Sequence, residues 1–359
     1  MEAIQYNCPN CSAPLSYKAD KQGFGCDYCL SFFTDTEIKT IFEDNENTNL
    51  NENIEPNNQN VVQEQNEFAQ STNLYSCSSC GAEIMAENTT AATFCIYCHS
   101  PVVLAGRLAG DYKPNKVIPF TVTKAKAVET FKKWVSKKKF VPTDFKSEQQ
   151  LEKMVGLYVP FWLADCNATA SVNAIGKNIR TWSSGSYRYT ETKEYAVDRA
   201  ATLNFKGVPA DGASKIEDNL MQAIEPFDYE QIKPFSMSYL SGFLADKYDV
   251  NKADVFPIIK KRVDNGCEDL IRQSITGYSS VTMNNFKNNI LNTNWNYALL
   301  PVWFMTYNYN GKMYEFAING QTGKTAGLPP LSTKKLLAFC GGFALALTLI
   351  LTIGGYFIS

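Results

Sequence analysis

Histidine is nearly absent from this chain: His99 is the only one in 359 residues. Acid–base chemistry built on imidazole, and metal sites built from several histidines, are therefore excluded. Lys and Arg are missing from residues 74–106, and residues 44–73 hold no Lys, Arg, Cys or Trp. Charge of either sign is missing from Leu336–Ile358. Met1–Tyr17 has no apolar run behind a basic segment, so no secretory signal peptide is expected. A net charge of −2 gives no overall attraction to nucleic acid.

The chain does hold eleven cysteines, eight of them in a pattern. Cys8-Pro-Asn-Cys11 is followed after fourteen residues by Cys26-Asp-Tyr-Cys29. Cys77-Ser-Ser-Cys80 and Cys95-Ile-Tyr-Cys98 repeat it, each cysteine 69 residues after its counterpart, with Tyr28 and Tyr97 also in register. Two CxxC pairs present four soft thiolates to one ion, the donor set of a closed tetrahedral zinc site. The spacing predicts two β zinc ribbons, residues 1–43 and 74–106, one duplicated from the other, with two Zn2+ per chain. A redox CxxC needs a βαβ setting that such short segments do not supply. A ribbon this small buries little core, so the metal supplies its folding energy. His99 reads as a surface residue, since four thiolates already close the second site.

Between the ribbons, residues 44–73 carry ten Asn, four Gln and six acidic residues, the composition of a disordered linker. The first ribbon is expected to hang on it as on a leash. Ribbons commonly bind nucleic acid, but residues 1–43 carry three lysines against six carboxylates, and the second ribbon has no cation. Phosphate binding requires clustered Lys and Arg, so protein contact is the favoured use and no nucleic-acid partner is expected. The alternative reading is a nucleic-acid-binding ribbon protein held at a membrane.

Residues 107–330 read as an α+β cytosolic domain. Residues 119–122 look like a strand entering a helix from Thr123 to about Lys139, with Val128, Phe131, Trp134 and Val135 on one face. Ten lysines fall between residues 113 and 146 against Glu129 and Asp144. Among them Lys132, Lys133, Lys137, Lys138 and Lys139 are candidate lipid-facing residues for an anionic leaflet. Cys166, Ala168, Ala170, Val172 and Ala174 alternate with polar residues as in a strand with one small, buried face. Ser183–Gly185 suits a hairpin turn, Phe205–Gly212 reads as a loop, Ile216–Ile224 as a helix. Asp254–Ile275 reads as a long helix with Phe256, Ile259, Val263, Leu270 and Ile271 inward. Leu300-Pro-Val-Trp303 echoes Val159-Pro-Phe-Trp162, suggesting two related halves. Asn310-Gly311 and Asn319-Gly320 predict a three-stranded meander over Trp303–Thr325. Gly323-Lys324-Thr325 lacks the earlier glycine of a phosphate-binding loop and is read as a turn. No nucleophile–base pair or further metal constellation is evident, so no enzyme is expected.

After a short juxtamembrane linker, 331–335, residues 336–358 form an uncharged helix of about 34 Å, enough to cross a hydrocarbon core. Lys334 and Lys335 precede it, so the positive-inside rule keeps the bulk of the chain in the cytoplasm and makes the protein single-pass. Ala338, Gly342 and Ala346 lie on one helix face, a small-residue stripe suited to contact with a second copy or another membrane subunit.

These residues together resemble the membrane-anchored zinc-ribbon proteins of Gram-positive bacteria, the YdjG type, encoded beside phage-shock-protein-A homologues. The resemblance rests on the Cys8/Cys11/Cys26/Cys29-type ribbon, Leu157–Trp162, Phe205–Gly212, Glu225–Asp228, Tyr239–Phe243 and Phe316–Gly323. It implies a membrane platform in the bacterial cell membrane that recruits a phage-shock-protein-A-like partner in envelope stress, and it carries over no catalytic residue.

Overall fold

The computed structural model describes residues 8–46, 72–107 and 113–358, apart from 12, 14, 78, 88–93, 101 and 241. Most of the expected linker, residues 47–71, lies outside the described residues.

In the first ribbon β1 (Leu15–Lys18) and β2 (Gly23–Cys26) pair antiparallel, Leu15 opposite Cys26. The strand β3 (Phe32–Thr34) joins the other edge of β2, and a Cβ at Gly23 would collide with the Phe32 ring and the Phe33 carbonyl. The helix α1 (Asp35–Glu46) begins at a reciprocal cap. The Thr34 amide donates to the Glu37 carboxylate at 2.7 Å, and the Glu37 amide to the Thr34 hydroxyl at 3.3 Å. In the second ribbon β4 (Thr72–Ser76) pairs with both β5 (Glu83–Glu87) and β6 (Val103–Arg107).

The larger domain then runs β7 (Lys116–Val117), α2 (Lys124–Ser136), α3 (Glu148–Glu152), β8 (Val155–Ser184), β9 (Tyr187–Asp211) and α4 (Asp218–Ile224). It continues with β10 (Lys233–Pro234), β11 (Leu244–Asp246), α5 (Lys252–Ser274), β12 (Ser280–Tyr309), β13 (Lys312–Asn319), β14 (Thr325–Gly327) and α6 (Thr333–Ile358). The mixed sheet has the order β10-β7-β12-β8-β11-β5-β4-β6, with β13 on β12 and β14 on β13. The expected multidomain class is therefore present: two four-cysteine ribbons, an α+β body and one apolar carboxy-terminal helix.

Two compact units interleave along the chain. One takes Met1–Val159, Ala213–Lys247 and Leu299–Ser359; the other takes Pro160–Gly212 and Tyr248–Ala298. The core of the first is aromatic. Phe120, Phe131, Phe145, Tyr158, Phe304 and Phe316 are fully buried, and Phe120 stacks on Phe243 with centroids 4.2 Å apart. Thr123 caps α2 by accepting the Lys126 amide, and Ala127, Phe131 and Val135 form its buried face with Trp134 half-covered. At Asn310-Gly311 both residues have positive φ, as a type I′ hairpin requires, and β12 and β13 pair from Tyr309–Lys312 to Val302–Asn319. The second turn of the meander is longer: the Asn319 side chain accepts the amides of Gln321 and Thr322, each at 2.9 Å.

The second unit is built on the β8–β9 hairpin, paired from Phe161–Asp211 to Ser184–Tyr187 and turned at Gly185. Cys166, Ala168, Ala170, Val172 and Ala174 form its buried alternating face. Residues 205–211 are strand rather than loop. Gly207 takes a positive φ, the register shifts between Ala164 and Cys166, and the Asp165 carboxylate accepts the Gly207 amide at 2.7 Å. The glycine that suggested a loop thus sits in a bulge inside a strand, and Pro209 keeps its place in the ladder opposite Leu163. The face of α5 also differs from expectation. Val255, Ile259, Val263, Cys267 and Ile271 are buried at strict four-residue spacing, while Phe256 and Leu270 face outward.

The helix α6 begins at Thr333, ahead of the uncharged stretch, because Ser332 caps it: its hydroxyl accepts the Lys335 amide. Thr333–Thr352 is long and apolar enough to cross a membrane, and none of it is buried.

Candidate metal centres

Each ribbon holds its four cysteines on two tight turns of the same construction. At the first turn the Cys8 amide donates to the Ala13 carbonyl at 2.7 Å, matched by Cys77 to Ala82 at 2.9 Å. At the second turn the Cys26 amide donates to the Ser31 carbonyl and the Leu30 amide to Cys26. Cys95–Ser100 and His99–Cys95 repeat both bonds. Leu30 and His99 sit at φ 61° and 60°, the left-handed conformation that closes each turn without glycine.

These turns bring four sulfurs together twice. In each group all four lie within 4.8 Å of one another. The closest approaches are Cys8–Cys29 and Cys11–Cys26 at 3.4 Å, and Cys77–Cys98 and Cys80–Cys95 at 3.5 Å. Four sulfurs at a zinc–sulfur distance of about 2.3 Å in a tetrahedron stand roughly 3.8 Å apart, so both cages fit one zinc ion each. The separations are far beyond an S–S bond of about 2.05 Å, and all eight are free thiols.

Hydrogen bonding favours the thiolate at one ligand of each centre, whereas sharing a proton with neighbouring thiols pushes Cys11 up to about 12 and burial raises Cys80 and Cys95. Hydrogen bonds from the Ser31 hydroxyl and amide pull Cys29 down to about 6. At Cys98 burial acts upward, but the Ser100 hydroxyl and amide outweigh it and bring the thiol to about 6. A Cys-x-x-Cys-x-Ser pattern therefore supplies both a ligand and the donors that keep it ionised. With four protein ligands a centre has no open position for substrate, so its chemistry is structural.

The surroundings of the two centres differ. Around the first, Tyr28 is 79% exposed and Leu30 84%. In the second the matching tyrosine, Tyr97, is 7% exposed; its hydroxyl donates to the buried Asp246 carboxylate and its ring packs edge-on against Phe304. His99 is not a bare surface residue and not a ligand. Its Nε2 lies 2.7 Å from the Thr306 hydroxyl, which also donates to the Ile96 carbonyl at 3.1 Å. The sheet is continuous here: Ala245 of β11 pairs with Met85 of β5 on one side and Tyr158 of β8 on the other.

The first ribbon is seated too, through its helix. Asp35 accepts from the Tyr239 hydroxyl at 2.8 Å and pairs with Lys233 at 3.0 Å, while Tyr17 and Phe24 pack on the Tyr239 ring. No local sequence signal marks Asp35, Tyr239, Asp246 or Thr306, because each acts with a partner more than a hundred residues away.

The other candidate residues lie apart from the metal. Lys132 pairs with Glu148 and Lys133 with Glu129, and the Lys138 ammonium sits over the Trp134 ring at 5.3 Å. Lys137, Lys138 and Lys139 are exposed and immediately precede Phe140, whose ring packs on Phe339 of α6. The Phe140 carbonyl accepts the Ser332 amide at 2.7 Å and the Val141 carbonyl accepts Lys335 Nζ at 2.8 Å. Ala338, Gly342 and Ala346 are exposed on α6, and nothing lies within 4 Å of a Cβ built at Gly342.

Among curated proteins the chain is 37% identical over 260 residues to the uncharacterized protein YdjG of Bacillus subtilis strain 168, covering 71% of this chain and 76% of that one. No protein-family model matches the chain. No solved structure matches it.

Proposed function

Because this chain belongs to the family of Bacillus subtilis YdjG, we propose that it is a non-enzymatic, membrane-tethered adaptor whose zinc ribbons help present a docking surface to a cytosolic partner. The observation that carries this reading is the company the two closed tetrathiolate centres keep. They belong to the same compact unit as an apolar helix of membrane-spanning length with no buried residue in its span. Zinc in such centres supplies folding energy and rigidity, which suits a platform.

In this reading α6 is a single pass through the bacterial cell membrane, and the bulk of the chain stays in the cytoplasm on the lysine side. Lys137, Lys138 and Lys139 stand at the base of the helix and meet anionic headgroups there. Ala338, Gly342 and Ala346 form a contact with a second copy or another membrane subunit. The partner is a phage-shock-protein-A-like protein recruited in envelope stress, and nucleic acid is not a partner.

The test is purification of the tagged full chain from native membranes, with mass spectrometry of co-purifying proteins and lipids. A phage-shock-protein-A-like protein and phosphatidylglycerol should be enriched, and Lys137→Gln, Lys138→Gln and Lys139→Gln together should lose the lipid. Recovery of nucleic acid with no specific protein would overturn the adaptor reading.

A further inference from the structure

The strand β14 pairs only with Phe316–Ile318 of β13, so the preceding residues of that strand, Lys312–Glu315, have no strand on that edge among the described residues. The chain turns away at Gly327, and a cavity of about 500 Å³ opens between this strand end and α4. Trp134, Leu220, Met313 and Leu328 give it apolar walls, and three charged residues, Glu217, Glu315 and Lys312, stand among them.

Glu315 is the unusual wall. It is half-buried and accepts one hydrogen bond among the described residues, from the Glu217 amide at 3.5 Å. No Lys or Arg forms an ion pair with it among the described residues, and the nearby Lys312 ammonium lies instead over the Tyr314 ring at 5.4 Å. Burial, opposed by that amide and reinforced by the Glu217 charge, holds its carboxyl above the ordinary range. A carboxylate drawn out of water without a counter-cation is costly to the fold, and a cation entering the cavity removes that cost.

We propose that this cavity binds an organic ammonium ion carrying an apolar body, with its charged end at Glu315 and its hydrocarbon against Trp134, Leu220 and Met313. Two carboxylates repel an anion. Among the described residues only the two cysteine cages bring three or more acidic, cysteine or histidine ligands together, so Glu217 and Glu315 alone are a poor site for a bare Ca2+. A cation with hydrocarbon attached satisfies both parts of the lining. The same chemistry has two sources. One is a free amine. The other is the ammonium headgroup of phosphatidylethanolamine, whose phosphate must then stay outside the cavity mouth, where Leu328 precedes α6. Only the lipid source rests on reading α6 as a membrane span.

The test uses the full chain in maltoside micelles, which contain no ammonium, titrated calorimetrically with phenethylammonium chloride. One saturable site is expected, with phenylacetate not binding. Glu315→Gln should weaken the affinity roughly tenfold or more, the worth of a charge-assisted hydrogen bond. Ala223→Trp, which fills the cavity while keeping the carboxylate, should also lose binding; zinc content and near-ultraviolet dichroism report that each variant is folded. Phosphatidylethanolamine doped into the micelles, compared with phosphatidylglycerol, separates the sources: competition by the former identifies the headgroup, and no competition identifies a free amine. Absence of saturable binding, or equal binding by Glu315→Gln, overturns the proposal. Neither result depends on the protein partner, so failure of this site and failure of the adaptor reading are separately visible.

Discussion

The duplicated ribbons contain their own controlled experiment at Tyr28 and Tyr97. The two tyrosines hold the same place in the same turn, yet one is 79% exposed and the other 7% exposed. Tyr97→Phe removes the hydroxyl that donates to Asp246, a carboxylate only 3% exposed. The ring and its packing on Phe304 stay, so the change isolates one hydrogen bond to a buried acid, worth about 2 kcal/mol. Tyr28→Phe alters a hydroxyl standing in solvent and should cost less than about 0.5 kcal/mol. Urea unfolding of the full chain in non-ionic micelles, followed by near-ultraviolet dichroism, reads the difference. With an m-value of about 3 kcal/mol per molar, Tyr97→Phe should lower the midpoint by roughly 0.7 M and Tyr28→Phe by almost nothing. Zinc release from the second ribbon should move with the same transition, because β5 and β11 share a ladder. Equal shifts for the two variants, or a second ribbon that loses zinc well before the body unfolds, would refute the view that this ribbon is part of the body.

Metal analysis should find two zinc ions per chain. Cys8→Ser should remove one and leave the body folded, whereas Cys77→Ser should remove one and destabilise the sheet that carries β4 and β5, read by circular dichroism. Glu315 has a folded-state pKa raised above its unfolded value, so the folded chain holds more protons in between. Its contribution therefore falls as pH rises from the unfolded carboxyl range, about 4, through the raised folded value. Glu315→Gln should flatten that part of the stability–pH curve, and an unchanged slope would place the carboxyl in water. Gly342→Leu should weaken self-association in a bilayer assay while leaving insertion intact; unchanged association would leave α6 as an anchor alone.

Local chemistry was legible in the sequence, and long-range chemistry was not. Cysteine spacing located both cages because each CxxC turn is a short-range object, and Asn310-Gly311 marked a hairpin because both residues take positive φ there. The alternation from Cys166 to Ala174 gave the correct buried face. Phe205–Gly212 misled because Gly207, ordinarily a breaker, is absorbed by a bulge whose other half, Asp165, lies 42 residues away, while Pro209 stays paired opposite Leu163. On α5 the residues Phe256 and Leu270 are large and apolar, yet the stripe that meets its neighbours uses the smaller Val255 and Cys267. His99 looked superficial because its partner, Thr306, is remote in sequence. Among the candidate sites, Glu315 carried no motif; only the end of β14 beside it makes a cavity there.

The seat of the second ribbon also has an order in time. A zinc site closed at Cys98 is complete as soon as that residue has been synthesised, whereas Asp246 follows Tyr97 by 149 residues and Thr306 follows His99 by 207. At about 5–20 residues per second, ten seconds or more pass before that seat exists. During that interval the face bearing Ile96 and Tyr97, which is covered in the finished protein, is turned to solvent. The metallated ribbon is thus a preformed piece awaiting its socket, and the apolar helix α6, made later than Thr306, follows only after both halves of the joint have appeared.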